Sequence, residues 1–184
     1  MLALDTSSAR SALALLEAEQ VVAEAVRPSG RDFDVAAEVA LLAPDPRVID
    51  SVLVALGPGS FTGLRQGIAF GVGLALGLGA QLYGIGTLDL AAARAKEPAV
   101  AVSDAGRGRV FYLAPDGRRG VAELGSVPRD WPAVGWLRGE GLAMLPDASL
   151  RSFGEAVLIA RKTAREVGYG TVKPEYMIEF GRLV

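Results

Sequence analysis

A nine-residue loop rich in glycine and hydroxyl side chains is the part of this sequence best suited to binding an anion. It spans residues 57–65 and reads Gly-Pro-Gly-Ser-Phe-Thr-Gly-Leu-Arg. It follows an apolar run typical of a buried strand and precedes a long apolar segment typical of a helix. Backbone N–H groups at such a junction can hold a phosphate, a carboxylate or a partner's acidic group. The candidate binding residues are Gly57, Pro58, Gly59, Ser60, Thr62 and Arg65.

The spacing in this loop differs from both common phosphate-binding patterns. Leu64-Arg65 stands where a P-loop has Lys followed by Ser or Thr. The glycine spacing does not match the dinucleotide fingerprint, and the loop follows a later strand than that fingerprint requires. From the residues alone, a tight strand-to-helix turn without a ligand remains an equal alternative.

The 184-residue sequence contains no histidine and no cysteine, which excludes several classes of chemistry. Disulfide frameworks, zinc sites built on His or Cys, and imidazole acid–base catalysis are all excluded. The formal net charge of −2 argues against a dedicated nucleic-acid-binding surface. Any chemistry must use carboxylates, Lys, Tyr, hydroxyl groups or a group supplied by a partner, and no metal site is predicted.

A second candidate binding segment, Asp5-Thr6-Ser7, occupies a turn between two predicted strands. The same order of strand, Asp, tight turn and strand recurs around Asp104. The repetition indicates two similar lobes, each beginning with a β-hairpin whose turn carries an Asp. Such turns can face one cleft, although Asp is also common in turns that bind nothing.

Hydrophobic periodicity predicts an α/β order of elements that places these turns. An antiparallel meander comes first, and Asp32 or Asp34 caps the first helix. The loop joins a buried parallel strand to a long helix, and Thr87 caps a later one. The predicted strands are 1–5, 10–17, 20–26, 50–56, 81–85, 99–103 and 109–114, and the predicted helices are 34–42, 64–78, 87–95 and 149–167, the last ending at Gly168.

The predicted helix 64–78 carries glycines on one side, at Gly63, Gly67 and Gly71. Each glycine costs a helix interior ~1 kcal/mol relative to alanine. Close approach of another backbone would offset this cost, either within the chain or across a subunit boundary. The segment 66–88 is also uncharged, but its seven glycines favour a buried helix and strand over a membrane span. No targeting signal is recognised, so a cytoplasmic protein is expected.

Four segments of the chain resemble the TsaB (YeaZ) family. The loop 57–65 matches that family's most specific motif, and 2–7, 87–91 and 104–112 resemble its other conserved segments. The resemblance implies an actin-like ATPase fold, which is a duplicated two-lobe α/β fold of ribonuclease-H type. The expected lobes are 1–97 and 98–184, with the second one shortened.

The resemblance also implies a function in forming N6-threonylcarbamoyladenosine at position 37 of tRNA. Family members are viewed as non-catalytic scaffolds that pair with the catalytic paralogue TsaD and with the ATPase TsaE. The implied partners are therefore TsaD, TsaE, a second copy in isolation, and tRNA through the complex. No cofactor of its own is expected, although ATP or ADP could lie at a subunit seam.

The family builds its subunit interface from the two helices that correspond to 35–42 and 64–78. This implies an interface made of Val35, Val39, Gly63, Gly67, Phe70, Gly71 and Leu74. A competing hypothesis is a free-standing enzyme of the actin-like kinase class, with Asp5 organising a Mg²⁺-bound nucleotide. A protease is a third hypothesis, but the chain has no histidine-based nucleophile or metal triad to support it.

Overall fold

Two larger β-sheets, one short strand pair and four α-helices are present in a computed structural model that describes residues 1–137 and 141–175, with the backbone of 178–179 and 182–183. The larger sheet has six strands in the order β10-β5-β4-β1-β2-β3. These strands are β1 (Leu2–Asp5), β2 (Arg10–Glu17), β3 (Gln20–Pro28), β4 (Ser51–Gly57), β5 (Gln81–Gly86) and β10 (Arg165–Glu166). The predicted antiparallel meander β1–β3 and the predicted parallel strand β4 are confirmed, and the predicted strand β5 pairs in parallel with β4.

Helices cover both faces of the larger sheet. On one face lie α1 (Val35–Leu42) and α2 (Phe61–Leu78), packed on leucine and valine side chains of the strands. On the other face lie α3 (Thr87–Arg94) and α4 (Phe153–Ala160), packed on a second cluster that includes Ala14, Leu53 and Ile85. Asp34 caps α1 by accepting bonds from two backbone N–H groups, which confirms one of the two predicted caps.

The smaller sheet repeats the arrangement at the start of the chain. Its strand order is β8-β7-β6-β9, with β6 (Val100–Gly106), β7 (Arg109–Leu113), β8 (Arg119–Glu123) and β9 (Ala133–Trp136). As β1 does, β6 pairs with an antiparallel neighbour on one side and a parallel one on the other. Asp104 accepts a bond from the N–H two residues later, as Asp5 does. A separate short antiparallel pair, β11 (Ile178–Glu179) and β12 (Arg182–Leu183), follows.

The glycines of α2 face the sheet of their own chain. A Cβ atom at Gly63 would lie 2.0 Å from the Thr6 carbonyl oxygen, and one at Gly71 would lie 2.3 Å from Val54 Cγ1. At Gly67 the nearest atom would be Thr6 Oγ1, at 2.4 Å. These three glycines therefore make the intramolecular approach that the sequence left as one alternative, and their assignment to a subunit interface stays a prediction. Close helix-to-sheet packing offsets the cost of glycine in this helix.

Two helix boundaries differ from the sequence prediction at their N-terminal ends. α2 begins at Phe61 with Ser60 as its cap, three residues before the predicted start. Gly86 is the cap residue of α3, so Thr87 is the first residue of the helix rather than its cap. The Thr87 hydroxyl instead lies 2.9 Å from the Ser7 hydroxyl, which shows that a tertiary contact has replaced the expected local one.

The last predicted helix is much shorter than its periodicity indicates. A capping box of Ser152 and Glu155 starts α4, but the helix ends at Ala160. Beyond a 3₁₀ turn, β10 pairs with β5, and the Val167 N–H donates to the Leu82 carbonyl. The open edge of β5 provides these hydrogen bonds, so the chain leaves the helix. Gly168 accordingly lacks the left-handed conformation expected of a cap.

The chain also returns to the larger sheet near its end. Residues 98–184 were predicted to form the second lobe, and β6–β9 do form a second sheet. Yet α4 covers the first sheet, and β10 extends it. The segment 153–166 therefore packs on and extends the larger sheet, whereas the predicted boundary at 97/98 stays a prediction.

Candidate functional site

The structure brings the two predicted binding segments into direct contact. The Ser60 N–H donates to the Ser7 carbonyl at 2.6 Å, and the Thr6 hydroxyl donates to the Gly63 carbonyl at 2.6 Å. A Cβ atom at Gly59 would lie 2.4 Å from the Ser7 carbonyl oxygen. The small residues of the loop thus allow the N-terminus of α2 to lie against the β1–β2 turn.

These contacts occupy hydrogen-bonding groups that would otherwise be available to a ligand. The Ser60 hydroxyl accepts from the Gly63 N–H, and the Ser60 N–H is already bonded to the first turn. Thr62 and Arg65 are exposed on the first turns of α2, and the Arg65 guanidinium lies 3.9 Å from the centre of the Phe61 ring. Of the loop's polar side chains, Thr62 and Arg65 are the ones best placed to meet a partner.

Asp5 lies at the end of β1, between the two lobes, and is buried. Its carboxylate accepts from the Ser7 N–H at 2.8 Å and from the Ser7 hydroxyl at 2.6 Å. Burial raises the pKa of Asp5 above its ordinary value of 3.8, and the two hydrogen bonds from Ser7 oppose this shift. The carboxyl group therefore has its partners within its own turn.

A cavity of about 20 Å³ beside Asp5 is large enough for about one water molecule. Arg94 of α3 and Trp136 of β9 line it, with the guanidinium 4.4 Å from the indole ring. Within 1–137 and 141–175, Arg94 Nη1 and Trp136 Nε1 are buried without a hydrogen-bond partner. Both groups only donate, so a water molecule accepting from them would satisfy them. A nucleotide does not fit in this space.

Sequence reasoning missed Arg94 and Trp136, although one signal was present. Arg94 lies in the last turn of a helix whose neighbouring residues are mostly apolar, and it bonds Asp147 at 3.0 Å. A buried arginine in such a helix requires a partner from elsewhere in the fold. No group of three or more carboxylates that could hold a metal ion occurs in the described part of the chain.

The exposed residues of α1, and those of α2 that follow Arg65, carry no charge and form a surface that we call the helical face. Its exposed residues are Ala36, Ala37, Ala40 and Leu41 of α1, and Ala69, Gly73, Leu76 and Gly77 of α2. Leu41 is 74% exposed and Leu76 is 62% exposed. By length and composition alone, α2 could cross a membrane, but its glycine side packs on the sheet.

The predicted interface residues lie mostly beneath this face. Val35, Val39, Gly67 and Gly71 are buried in the core, whereas Gly63, Phe70 and Leu74 are half-buried. The predicted interface residues therefore lie mostly on the sides of α1 and α2 that face the sheet, and their part in a subunit interface stays a prediction. Because α2 is apolar nearly all round, its periodicity does not distinguish the side that faces the sheet from the side that faces solvent.

Comparison with known proteins gives sequence matches of different extent. The family described as "TsaD: tRNA N6-adenosine threonylcarbamoyltransferase" matches residues 35–123. The Bacillus subtilis tRNA threonylcarbamoyladenosine biosynthesis protein TsaB is 32% identical over 146 residues, which are 74% of this chain and 64% of that protein. A Mycobacterium leprae protein is 37% identical over 47% of this chain and 22% of its own length. The matched part of the chain thus spans less than two thirds of the length of these two relatives.

Solved structures share the whole fold. YeaZ from Pseudomonas aeruginosa is 21% identical, with a TM-score of 0.72 over 95% of this chain and 98% of that chain. A second structure, described as similar to the peptidase YeaZ from Pseudomonas aeruginosa, has a TM-score of 0.68 over 96% and 98%. The fold is therefore the predicted duplicated α/β fold of actin-like, ribonuclease-H-like type, and the sequence and fold together place this chain in the TsaB (YeaZ) family.

Proposed function

We propose that this chain is a non-catalytic subunit of the complex that forms N6-threonylcarbamoyladenosine in tRNA. The observation that carries the proposal is the 32% identity to a protein named for that biosynthesis, over 74% of the chain. Family membership supports a role in tRNA modification. The missing histidines and the filled cleft beside Asp5 support a scaffold rather than an independent enzyme.

The helical face is the surface that we assign to the partner. Burying exposed leucine side chains is worth about 25 cal/mol per Å² of apolar area, so this uncharged surface favours association. The occupant we propose is a TsaD-type paralogue, whose corresponding helices would complete a bundle. In isolation a second copy of this chain would take the same place, and TsaE and tRNA would join through the complex.

A nucleotide site of the chain's own is not part of this proposal. Asp5 is buried and bonded to Ser7, and the adjoining cavity has room for about one water molecule. We therefore place any ATP or ADP at the seam with the partner, where exposed Thr62 and Arg65 could reach it. The free-standing kinase hypothesis would require this cleft to open.

Reconstitution tests the function. The chain is mixed with the TsaD and TsaE proteins of the same cell, tRNA, ATP and threonylcarbamoyl-adenylate, and the modified nucleoside is measured. We expect no product from the chain alone, product from the full mixture, and loss of product when the chain is omitted. Modification by the lone chain, or full activity without it, would contradict the proposal.

Two glutamate substitutions test the docking surface. Leu76→Glu places a charge on the helical face and should weaken pairing with the TsaD-type protein by at least about tenfold, since a buried unpaired charge is costly. Ile159→Glu is the matched control, because Ile159 is an exposed apolar residue of α4 on the opposite face of the sheet. Sedimentation velocity measures both, and equal pairing by the two variants would reject this face.

A further inference from the structure

A second cavity lies at the carboxyl ends of the parallel strands β4 and β5, away from Asp5. Its volume is about 240 Å³, and both lobes contribute to it. Pro58 and Asp89 come from the first lobe, Arg119 from the start of β8, and Arg165 and Glu175 from the returning segment. Crevices at the carboxyl ends of parallel strands are the usual binding places in α/β sheets.

The charged groups at this cavity divide into a satisfied pair and an unsatisfied pair. The Arg165 guanidinium donates to the Glu175 carboxylate, which neutralises both. Asp89 and Arg119 have no ion pair or side-chain hydrogen bond in the part of the chain that the structure describes. One carboxylate and one guanidinium therefore face the same space with hydrogen-bonding capacity unused.

The electrostatic behaviour of Asp89 agrees with this arrangement. Desolvation of its carboxylate raises the pKa of Asp89, Arg119 and Arg165 oppose the shift, and Glu175 adds to it. Although the residue as a whole is exposed, the Asp89 carboxylate therefore lies within the electrostatic influence of the other charged groups of the cavity. A ligand that matched only one sign would leave the opposite charge unpaired.

Apolar side chains form part of the remaining wall of the cavity, beside Thr163 and three glycines. Ile85 and Leu88 are buried side chains of β5 and α3, and Pro58 and Leu113 adjoin them. The volume is below the range of about 300–1,000 Å³ that is typical of sites for drug-sized ligands. The cavity therefore fits a small molecule with one apolar side and two opposite charges.

We propose that this cavity binds a free α-amino acid with an apolar side chain. The ligand's ammonium group would donate to the Asp89 carboxylate, and its carboxylate would accept from the Arg119 guanidinium. Its side chain would lie against Ile85 and Leu88. This site is independent of the helical face and of the proposed role in tRNA modification.

A titration of the full chain with three matched probes tests the charge requirement. L-leucine carries both charged groups, isocaproate lacks the ammonium group, and isoamylamine lacks the carboxylate. Backbone amide shifts of residues 84–89 report on binding in NMR spectra. We expect saturable binding of L-leucine and binding at least about tenfold weaker for each of the other two probes. Absence of saturable shifts with L-leucine, or equal binding of isocaproate, would overturn the proposal.

Variants of the two charged residues locate the site. Arg119→Gln and Asp89→Asn should each weaken L-leucine binding by at least about tenfold. Arg118→Gln is the matched control, because the neighbouring Arg118 is paired with Asp116 and Asp130 and does not line the cavity. Unchanged binding in the first two variants, with their native spectra retained, would place the amino acid elsewhere and refute the assignment.

Discussion

Asp5 is the residue at which burial and hydrogen bonding compete most directly. Its carboxylate is buried, which favours the neutral form, and it accepts two bonds from Ser7, which favour the charged form. Burial is the larger effect, so the pKa of Asp5 is raised in the folded protein. The residue to which the competing kinase hypothesis assigns nucleotide binding is thereby held as part of the β1–β2 turn.

The raised pKa predicts how stability depends on pH. The folded state binds the Asp5 proton more tightly than the unfolded chain, whose pKa stays near 3.8. Stabilisation from this group is therefore complete below that value and is lost as pH rises through the higher folded pKa. Compared with Asp5→Asn, the wild-type protein should lose free energy of unfolding over this rise, as urea denaturation at a series of pH values would measure.

Asp5→Ala provides the contrast to this substitution. Asparagine keeps an oxygen that accepts from Ser7, whereas alanine leaves buried donors unpaired, at a cost of about 1–3 kcal/mol each. The alanine variant should therefore unfold more readily than Asp5→Asn at every pH. Equal stability of the two variants would mean that the bonds from Ser7 contribute nothing.

At the scale of elements, α2 has two apolar sides with different roles. Its glycine side lies against β1 and β4, with no space for side chains at Gly63, Gly67 and Gly71. Its other side forms part of the helical face, and within the described chain nothing lies within 4 Å of a Cβ built at Gly73. Replacement of glycine by alanine should therefore lower the free energy of unfolding on the glycine side and raise it on the helical face.

Alanine substitutions along α2 test this difference. Gly67→Ala should lower the free energy of unfolding by about 1–3 kcal/mol, because its Cβ would overlap Thr6 Oγ1. Gly73→Ala is the control and should raise it by up to ~1 kcal/mol through helix propensity. Urea denaturation of the two variants measures both effects, and destabilisation by Gly73→Ala alone would contradict the observed orientation of the helix.

At the scale of the whole molecule, the lobes are joined through α3 and α4. Leu90 of α3 packs beneath the larger sheet, whereas Leu88 packs on the smaller one. Phe153 of α4 is buried beneath the larger sheet although it follows the second lobe in sequence. The two lobes therefore share buried surface and should unfold together.

Phe153→Ala tests this coupling. Loss of the buried ring should cost about 3–5 kcal/mol. Tryptophan fluorescence reports on Trp131, which packs on the core of the smaller sheet, and on Trp136 of β9, which also packs against the cluster of Phe153. Circular dichroism reports on the whole chain. Both transitions should shift together. The control is Ile159→Ala, at an exposed position of the same helix, which should change the free energy of unfolding by no more than about 0.5 kcal/mol. If Phe153→Ala shifted the transition of only one probe, the lobes would unfold separately.

Local patterns in the sequence determined most of the first lobe and its chemistry. The apolar runs and turn residues predicted β1–β5, a choice of two caps for α1 that included Asp34, and the junction at 57–65, because each depends on near neighbours. The absence of histidine and cysteine excluded whole classes of catalysis without any coordinates. The repeated hairpin around Asp104 likewise predicted the duplication.

Only the tertiary structure decided which surfaces face inward. It placed the glycines of α2 on the sheet, ended α4 at Ala160 because β5 offered an open edge, and filled the cleft beside Asp5 with Arg94 and Trp136. It also brought Asp89 and Arg119 to one cavity from different lobes. These outcomes depend on contacts between residues far apart in the chain, and local periodicity carries no information about such contacts.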